Sequence, residues 1–227
     1  MKRWHKFVAI LMIILAIGAG ITLFINMHDS ENIGSNNLGY VTKDTYSHYG
    51  NSDKKIAIVS GMHARETLSA NVLPEVAKIY AFFNNVEVVN YKVTVLANPE
   101  NFAVGRANGE TLVHDFVVKD IAKENYNLVI VGHDHEQGYG DGFYIATPSM
   151  DYKSINLAEK VMSDLPDFKY YKRDTESSAK STSITRVDNP IVATGTPLFV
   201  YEIPEWLSFS EAFSKSYDLV SSSFKNF

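Results

Sequence analysis

His63 and Glu66 stand three residues apart in VSGMHARETLSA (59–70), where an apolar run ends. An imidazole nitrogen and a carboxylate oxygen that project from one side of a strand-to-helix turn can share a cation, and both suit zinc. A catalytic zinc site takes three protein ligands plus water, so a third ligand has to come from elsewhere. The chain has no cysteine, which excludes thiolate ligands, disulfides and cysteine nucleophiles and leaves His, Asp and Glu for a metal. His5, His28 and His48 precede the domain or lie at its start, and His114 falls at an expected helix start. GHDHEQG (132–138) supplies the remaining pair, His133 and His135. Two apart on a strand, they face the same side, so one could bind metal while the other supports it or touches substrate. In TPLFVYEIP (196–204), Glu202 is a single carboxylate among apolar residues, a costly arrangement without a partner. Beside a zinc-activated water it would serve as a proton acceptor and donor.

These residues need elements to position them. KKIAIVSG (54–61) and YNLVIVGHDHEQ (126–137) are expected to be buried strands. VEVVNYKVTVLA (86–97) is strand-like and closes at the Asn98-Pro99 turn, and TPLFVYEIPEW (196–206) is a strand stopped by Pro204. From Glu66, apolar residues at 68, 72, 73, 76, 79, 80 and 83 recur at helical spacing, with Pro74 expected in a first turn or at a kink. YKSINLAEKVMSDL (152–165) and SFSEAFSKSYDLVSSSF (208–224) are expected helices, and RDTESSAKSTSITRVDN (173–189) a polar loop. Alternating helices and buried β-branched strands predict an α/β domain, a mainly parallel sheet sandwiched between helices. Ligands in such sheets gather beyond the carboxyl ends of the strands. Three expected strands end at His63, at His133/His135 and at Glu202.

The N-terminus predicts a membrane span. Lys2, Arg3 and Lys6 precede an uncharged run of 19 residues, Phe7 to Ile25, close to the roughly 20 needed to cross a bilayer. The basic end is expected to stay in the cytoplasm and the rest to lie outside. With no small-x-small cleavage site after the run, an uncleaved signal anchor is favoured over a secreted, cleaved form. The expected division is 1–27 basic stub and signal-anchor helix, 28–47 polar tether, and 48–227 a single globular domain. Beyond residue 27 there are 18 basic and 26 acidic residues, a net of −8, with no basic stripe for nucleic acid. With 45% hydrophobic and 12% aromatic residues the chain can bury a core.

SGMHARETLSA resembles the first signature of the zinc carboxypeptidases, a hydrophobic strand followed by G-x-H-x-R-E. The strong likeness spans residues 48–72, with weaker echoes in Asn98-Pro99, HDHE and FVYEIP. The resemblance implies a mixed, mainly parallel sheet between helices. It implies Zn2+ held by His63, Glu66 and His135, with Glu202 as general base and acid and Arg65 as a candidate for polarising the scissile carbonyl or binding substrate. His133 then stands where the family has Asp and is assigned to substrate. In the related succinylglutamate desuccinylase and aspartoacylase group an Asn-Arg pair clamps a substrate carboxylate. Here Val113 and His114 occupy those places, leaving Arg106 or His114 as substitutes. The expected function is a membrane-anchored, extracytoplasmic zinc hydrolase of peptide or amide bonds. The alternatives are an N-acyl amino acid deacylase of the same superfamily and a non-catalytic binding module on that fold.

Overall fold

The computed structural model of the chain describes residues 2–26, 28–48, 52–172 and 181–227. The runs that read as buried strands form the middle of one eight-stranded sheet: β3 (Lys55–Ser60), β4 (Glu87–Val95), β5 (Leu128–His135) and β8 (Leu198–Pro204). With β1 (His28–Asn36), β2 (Gly39–Ser47), β6 (Tyr144–Thr147) and β7 (Lys169–Lys172), the strand order is β1-β2-β4-β3-β5-β8-β6-β7. The pairs β4–β3, β3–β5, β5–β8 and β6–β7 are parallel; β1–β2, β2–β4 and β8–β6 are antiparallel. The sheet is thus mixed and mainly parallel in its centre.

Alternate residues of these strands enter two separate cores, as the period of two requires. On one face Ile56, Ile58, Ile130, Phe199 and Tyr201 pack under α2 (Thr67–Phe83), α5 (Tyr152–Asp164) and α7 (Phe209–Lys225). On the other, Ala57, Val59, Val129, Val131 and Leu198 pack under α3 (Phe102–Leu112), a π-type turn at Val113–Val117, α4 (Val118–Ile121), a second π-type turn at Ile184–Asp188, and α6 (Asn189–Ala193). Helices cover both faces, as expected. Pro74 lies inside α2, where Val72, Leu73, Val76 and Ala77 anchor the helix in the core on both sides of it.

Two expectations need correction. Residues 28–47 are not a tether: they form the β1–β2 hairpin, and β2 pairs with β4 along its whole length. The polar composition is tolerated because β1 is an edge strand, exposed along most of its length, while β2 buries Val41 completely. The polar loop is the second: residues 173–180 lie outside the described residues, and beyond them Ile184–Asp188 and Asn189–Ala193 are helical. At the N-terminus, α1 (Lys2–Asn26) is long and apolar enough to cross a membrane, with a mean hydropathy of 2.0 over Trp4–Ile21.

Candidate metal centre

β3 ends in a turn that begins at Gly61, whose φ of +73° suits glycine best. The turn carries His63 and closes with the Glu66 amide donating to the His63 carbonyl at 3.0 Å. Glu66 is the N-cap residue of α2, yet its side chain caps nothing. The free amides of that first turn are met from another strand: Asp134 of β5 accepts from Leu68 N and Ser69 N, each at 2.7 Å. The Glu66 carboxylate is thereby released to face the histidines. Its Oε1 lies 2.7 Å from His63 Nδ1 and its Oε2 2.7 Å from His133 Nδ1.

Ligand atoms of His63, Glu66 and His133 lie within 4.8 Å of one another. Both histidines turn Nδ1 inward, and their ring centroids are 4.5 Å apart. Two imidazole nitrogens on buried rings and one partly buried carboxylate are a donor set that suits zinc and leaves a coordination position open. Behind His63, Nε2 has no hydrogen-bond partner and lies 3.6 Å from Glu110 Oε1, an ion-pair rather than a hydrogen-bond distance. A carboxylate behind a ligating histidine is the usual support for such a ring. Burial alone would raise the pKa of Glu66, but His133 and His63 outweigh it and hold the group well below the carboxylate range. Burial would lower that of His133, but Glu66 reverses this and raises it to about 9.

Of the two histidines on β5, the structure groups His133 with the cluster. His135, the ligand implied by the resemblance, lies one strand row further on. Its Nε2 is 2.9 Å from the Gly142 carbonyl and its Nδ1 3.2 Å from that of Glu136. Its ring packs against Tyr144 and edge-on to Trp206. The cause is register: β5 pairs with β3 as far as Val59↔Val131, so His133 comes two residues past the last pair, beside the start of the turn that carries His63 and Glu66, and His135 two residues further on.

Glu202 stands beside His133 on the same face, since directly paired residues of neighbouring strands project together about 5 Å apart. Burial, with a further push from Glu66 and a countering pull from His133, raises its pKa to about 7. Arg106 of α3 brings a cation to this end of the sheet. Its Nε is 3.4 Å from Glu110 Oε1, its Nη1 3.9 Å from Glu66 Oε1, and its Nη2 donates to Ser183 Oγ at 3.2 Å. Arg65, the expected polarising group, is exposed and lies over the Phe102 ring, 5.9 Å from its centroid. His114 is also exposed and turned away, donating from Nδ1 to the Arg186 carbonyl at 2.9 Å. Val113 is wholly buried in the core.

Two acidic residues missed in the sequence join this neighbourhood. Glu110 is fully buried, and α3 can bring it up to His63 because Gly109 abuts the loop before it: a Cβ there would sit 1.6 Å from the Met62 carbonyl oxygen. Asp188 ends the second π-type turn, 1% exposed and with Oδ1 unpartnered; burial and Glu110 raise its pKa to about 7 against the pull of His133 and Arg106. The spacing of Glu110 four residues after Arg106 was the one available signal; for Asp188, inside a polar stretch, there was none.

The fold is that of the metallo-carboxypeptidases. The chain is similar to the metallo-carboxypeptidase of Burkholderia cenocepacia (TM-score 0.61, 9% identity, 88% of this chain and 64% of that one). It is similar too to that of Pseudomonas aeruginosa, solved in complex with (2-guanidinoethylmercapto)succinic acid (TM-score 0.61, 10% identity, 90% and 66%). The cell shape determinant Csd4 of Helicobacter pylori, solved with a bound tripeptide, aligns at TM-score 0.56 and 12% identity over 82% of this chain and 55% of that one. The chain therefore spans about two thirds of the length of the carboxypeptidases and about half that of Csd4. No family model and no curated protein sequence matches it.

Proposed function

We propose that this protein is a membrane-anchored, extracytoplasmic zinc hydrolase that cleaves amide bonds, with peptides as its substrates. The observation that carries the reading is the convergence of His63, Glu66 and His133 from two segments with Glu202 set beside them by strand pairing. His63 Nδ1, Glu66 and His133 Nδ1 would hold zinc, which supplies Lewis-acid polarisation and lowers the pKa of water. Glu202 takes the proton of the attacking water on its carboxylate and hands it to the departing nitrogen. A pKa raised to about 7 suits both halves of that task. Arg106, held by Glu110 and Ser183, offers its guanidinium to the carbonyl oxygen as charge develops there. Glu110 holds the His63 ring in the orientation that turns Nδ1 inward.

The departing half carries less of a signature. Val113 in the core and His114 at the surface provide no Asn-Arg clamp at that place in the chain, which favours general amide cleavage over strict removal of a C-terminal residue. α1 is the anchor, with Lys2, Arg3 and Lys6 on the cytoplasmic side. The test is Glu202→Gln on the zinc-loaded protein. Bound zinc, measured by elemental analysis, should stay at the wild-type level while turnover of a peptide panel falls by about 10²–10⁴-fold, the range for losing a general acid-base group. Undiminished turnover would overturn the role of Glu202.

A further inference from the structure

The row of side chains that contains His133 and Glu202 does not stop at Glu202. β6 runs antiparallel to β8 with Tyr144 directly opposite Glu202, as His133 is from the other side. Paired residues of neighbouring strands project to one face about 5 Å apart, so the three form a line with the metal cluster at one end and a phenol at the other. The rows toward the sheet centre are apolar: Val131, Val200 and Ala146 on this face. Tyr144 sits where that lining turns polar.

Its ring is firmly held. It is 7% exposed, packs 5.2 Å from His135 and 4.8 Å edge-on from Tyr171, and abuts Gly140, where an added Cβ would come within 2.4 Å of its Cε1. Among the described residues no hydrogen bond engages its hydroxyl. Burial, then the nearby Glu202, pushes its pKa above the ordinary phenol value, so it stays a neutral donor and acceptor across the working range. A fixed ring with a free hydroxyl beside the proton-transfer carboxylate is placed for a ligand.

We propose that the Tyr144 hydroxyl is a positioning group that hydrogen-bonds the departing half of the substrate, on the side of Glu202 away from the metal ligands. This rests on the hydrolase reading above. The carbonyl must approach the His63–Glu66–His133 end, and Glu202 passes its proton to the departing nitrogen, so the residue beyond Glu202 faces what that nitrogen carries. A neutral phenol suits a neutral polar group there, an amide N–H or carbonyl of a peptide, rather than a charged terminus. One such bond is worth about a factor of ten in binding or rate.

The experiment compares wild type with Tyr144→Phe as full-length, zinc-loaded protein in detergent micelles. Zinc content and Tm should be unchanged. For peptide amides kcat/KM should fall about tenfold, while esters of the same acyl half with simple alcohol leaving groups should fall less than about threefold. Calorimetry with a phosphonate dipeptide isostere gives a readout independent of turnover, and its affinity should weaken about tenfold. Phosphonate affinity within twofold of wild type overturns the proposal, as does a loss that tracks zinc or Tm. If wild type binds the phosphonate but hydrolyses no amide, the hydrolase reading fails and the phosphonate comparison still decides Tyr144. If loaded wild type does not bind the phosphonate, the proposal falls.

Discussion

Asp188 and His133 illustrate how single side chains set the behaviour of the centre. A carboxyl buried without a full set of partners stays protonated in the folded chain until about pH 7, whereas the unfolded chain ionises it above about 3.8. The folded pKa is the higher one, so the stability this group contributes is complete below pH 3.8 and is lost as pH rises toward 7, by an amount on the order of a few kcal/mol. In chelator, the urea midpoint of wild type should therefore drop between pH 5 and pH 8, and Asp188→Asn should flatten that drop and be the more stable protein at pH 8. For the histidines the prediction concerns metal. His133→Ala should abolish stoichiometric zinc by elemental analysis, while His135→Ala should keep it, because the ring nitrogens of His135 face the Gly142 and Glu136 carbonyls. The HDH spacing made both histidines plain as residues of one strand face. Which of them is level with Glu66 depends on the pairing register of β5 with β3, which no local pattern encodes.

Elements were legible where apolar periodicity is strong and illegible where packing asks for small or polar residues. β3, β5, β8, α2 and α7 follow their hydrophobic spacing. α3 does not, because NFAVGRANGE carries Gly105 and Gly109 where helix formers would be expected. The structure gives their reason: a Cβ on Gly105 would come within 2.9 Å of the Pro99 carbonyl and one on Gly109 within 1.6 Å of that of Met62. These close approaches hold Arg106 and Glu110 against the centre. Gly109→Ala should accordingly push α3 away from the His63 loop. Stability should fall by about 1–3 kcal/mol, as overpacking usually costs, and zinc affinity by about 10–100-fold as Glu110 withdraws from His63. Chemical denaturation and competition with a chelator measure the two effects separately; unchanged zinc affinity would mean that Glu110 does not support the ring. The β1–β2 hairpin was missed for a related reason. An edge strand with one buried neighbour can be built from Asn, Ser, Asp and Glu, a composition that reads as a linker.

At the scale of the whole chain, the hairpin changes what the N-terminal helix can do. α1 ends at Asn26 and β1 begins at His28, so almost no chain separates the apolar helix from the first strand of the sheet. A helix of 25 residues is about 37 Å long, enough for a hydrocarbon core of about 30 Å. Three basic residues before the apolar run and no acidic ones bias that end toward the cytoplasm. As a bilayer span, α1 would hold the folded domain close to the membrane surface, with little slack to sample solution. Two outcomes are expected. The chain should resist extraction from membranes at alkaline pH, and protease added outside intact cells should digest the domain. Reversing the charges at Lys2, Arg3 and Lys6 should reduce that digestion by weakening the orientation signal. Lengthening the connection gives the sharper check. A flexible Gly/Ser insert of about 20 residues after Asn26 extends the reach by roughly 25 Å, taking about 5–6 Å times the square root of its length. Cleavage of a soluble peptide should not change, since neither the centre nor the sheet is touched, while cleavage of a peptide tethered at the membrane surface should fall as the domain's local concentration there is diluted. Equal rates on the tethered peptide with and without the insert would show that closeness to the membrane plays no part in substrate choice.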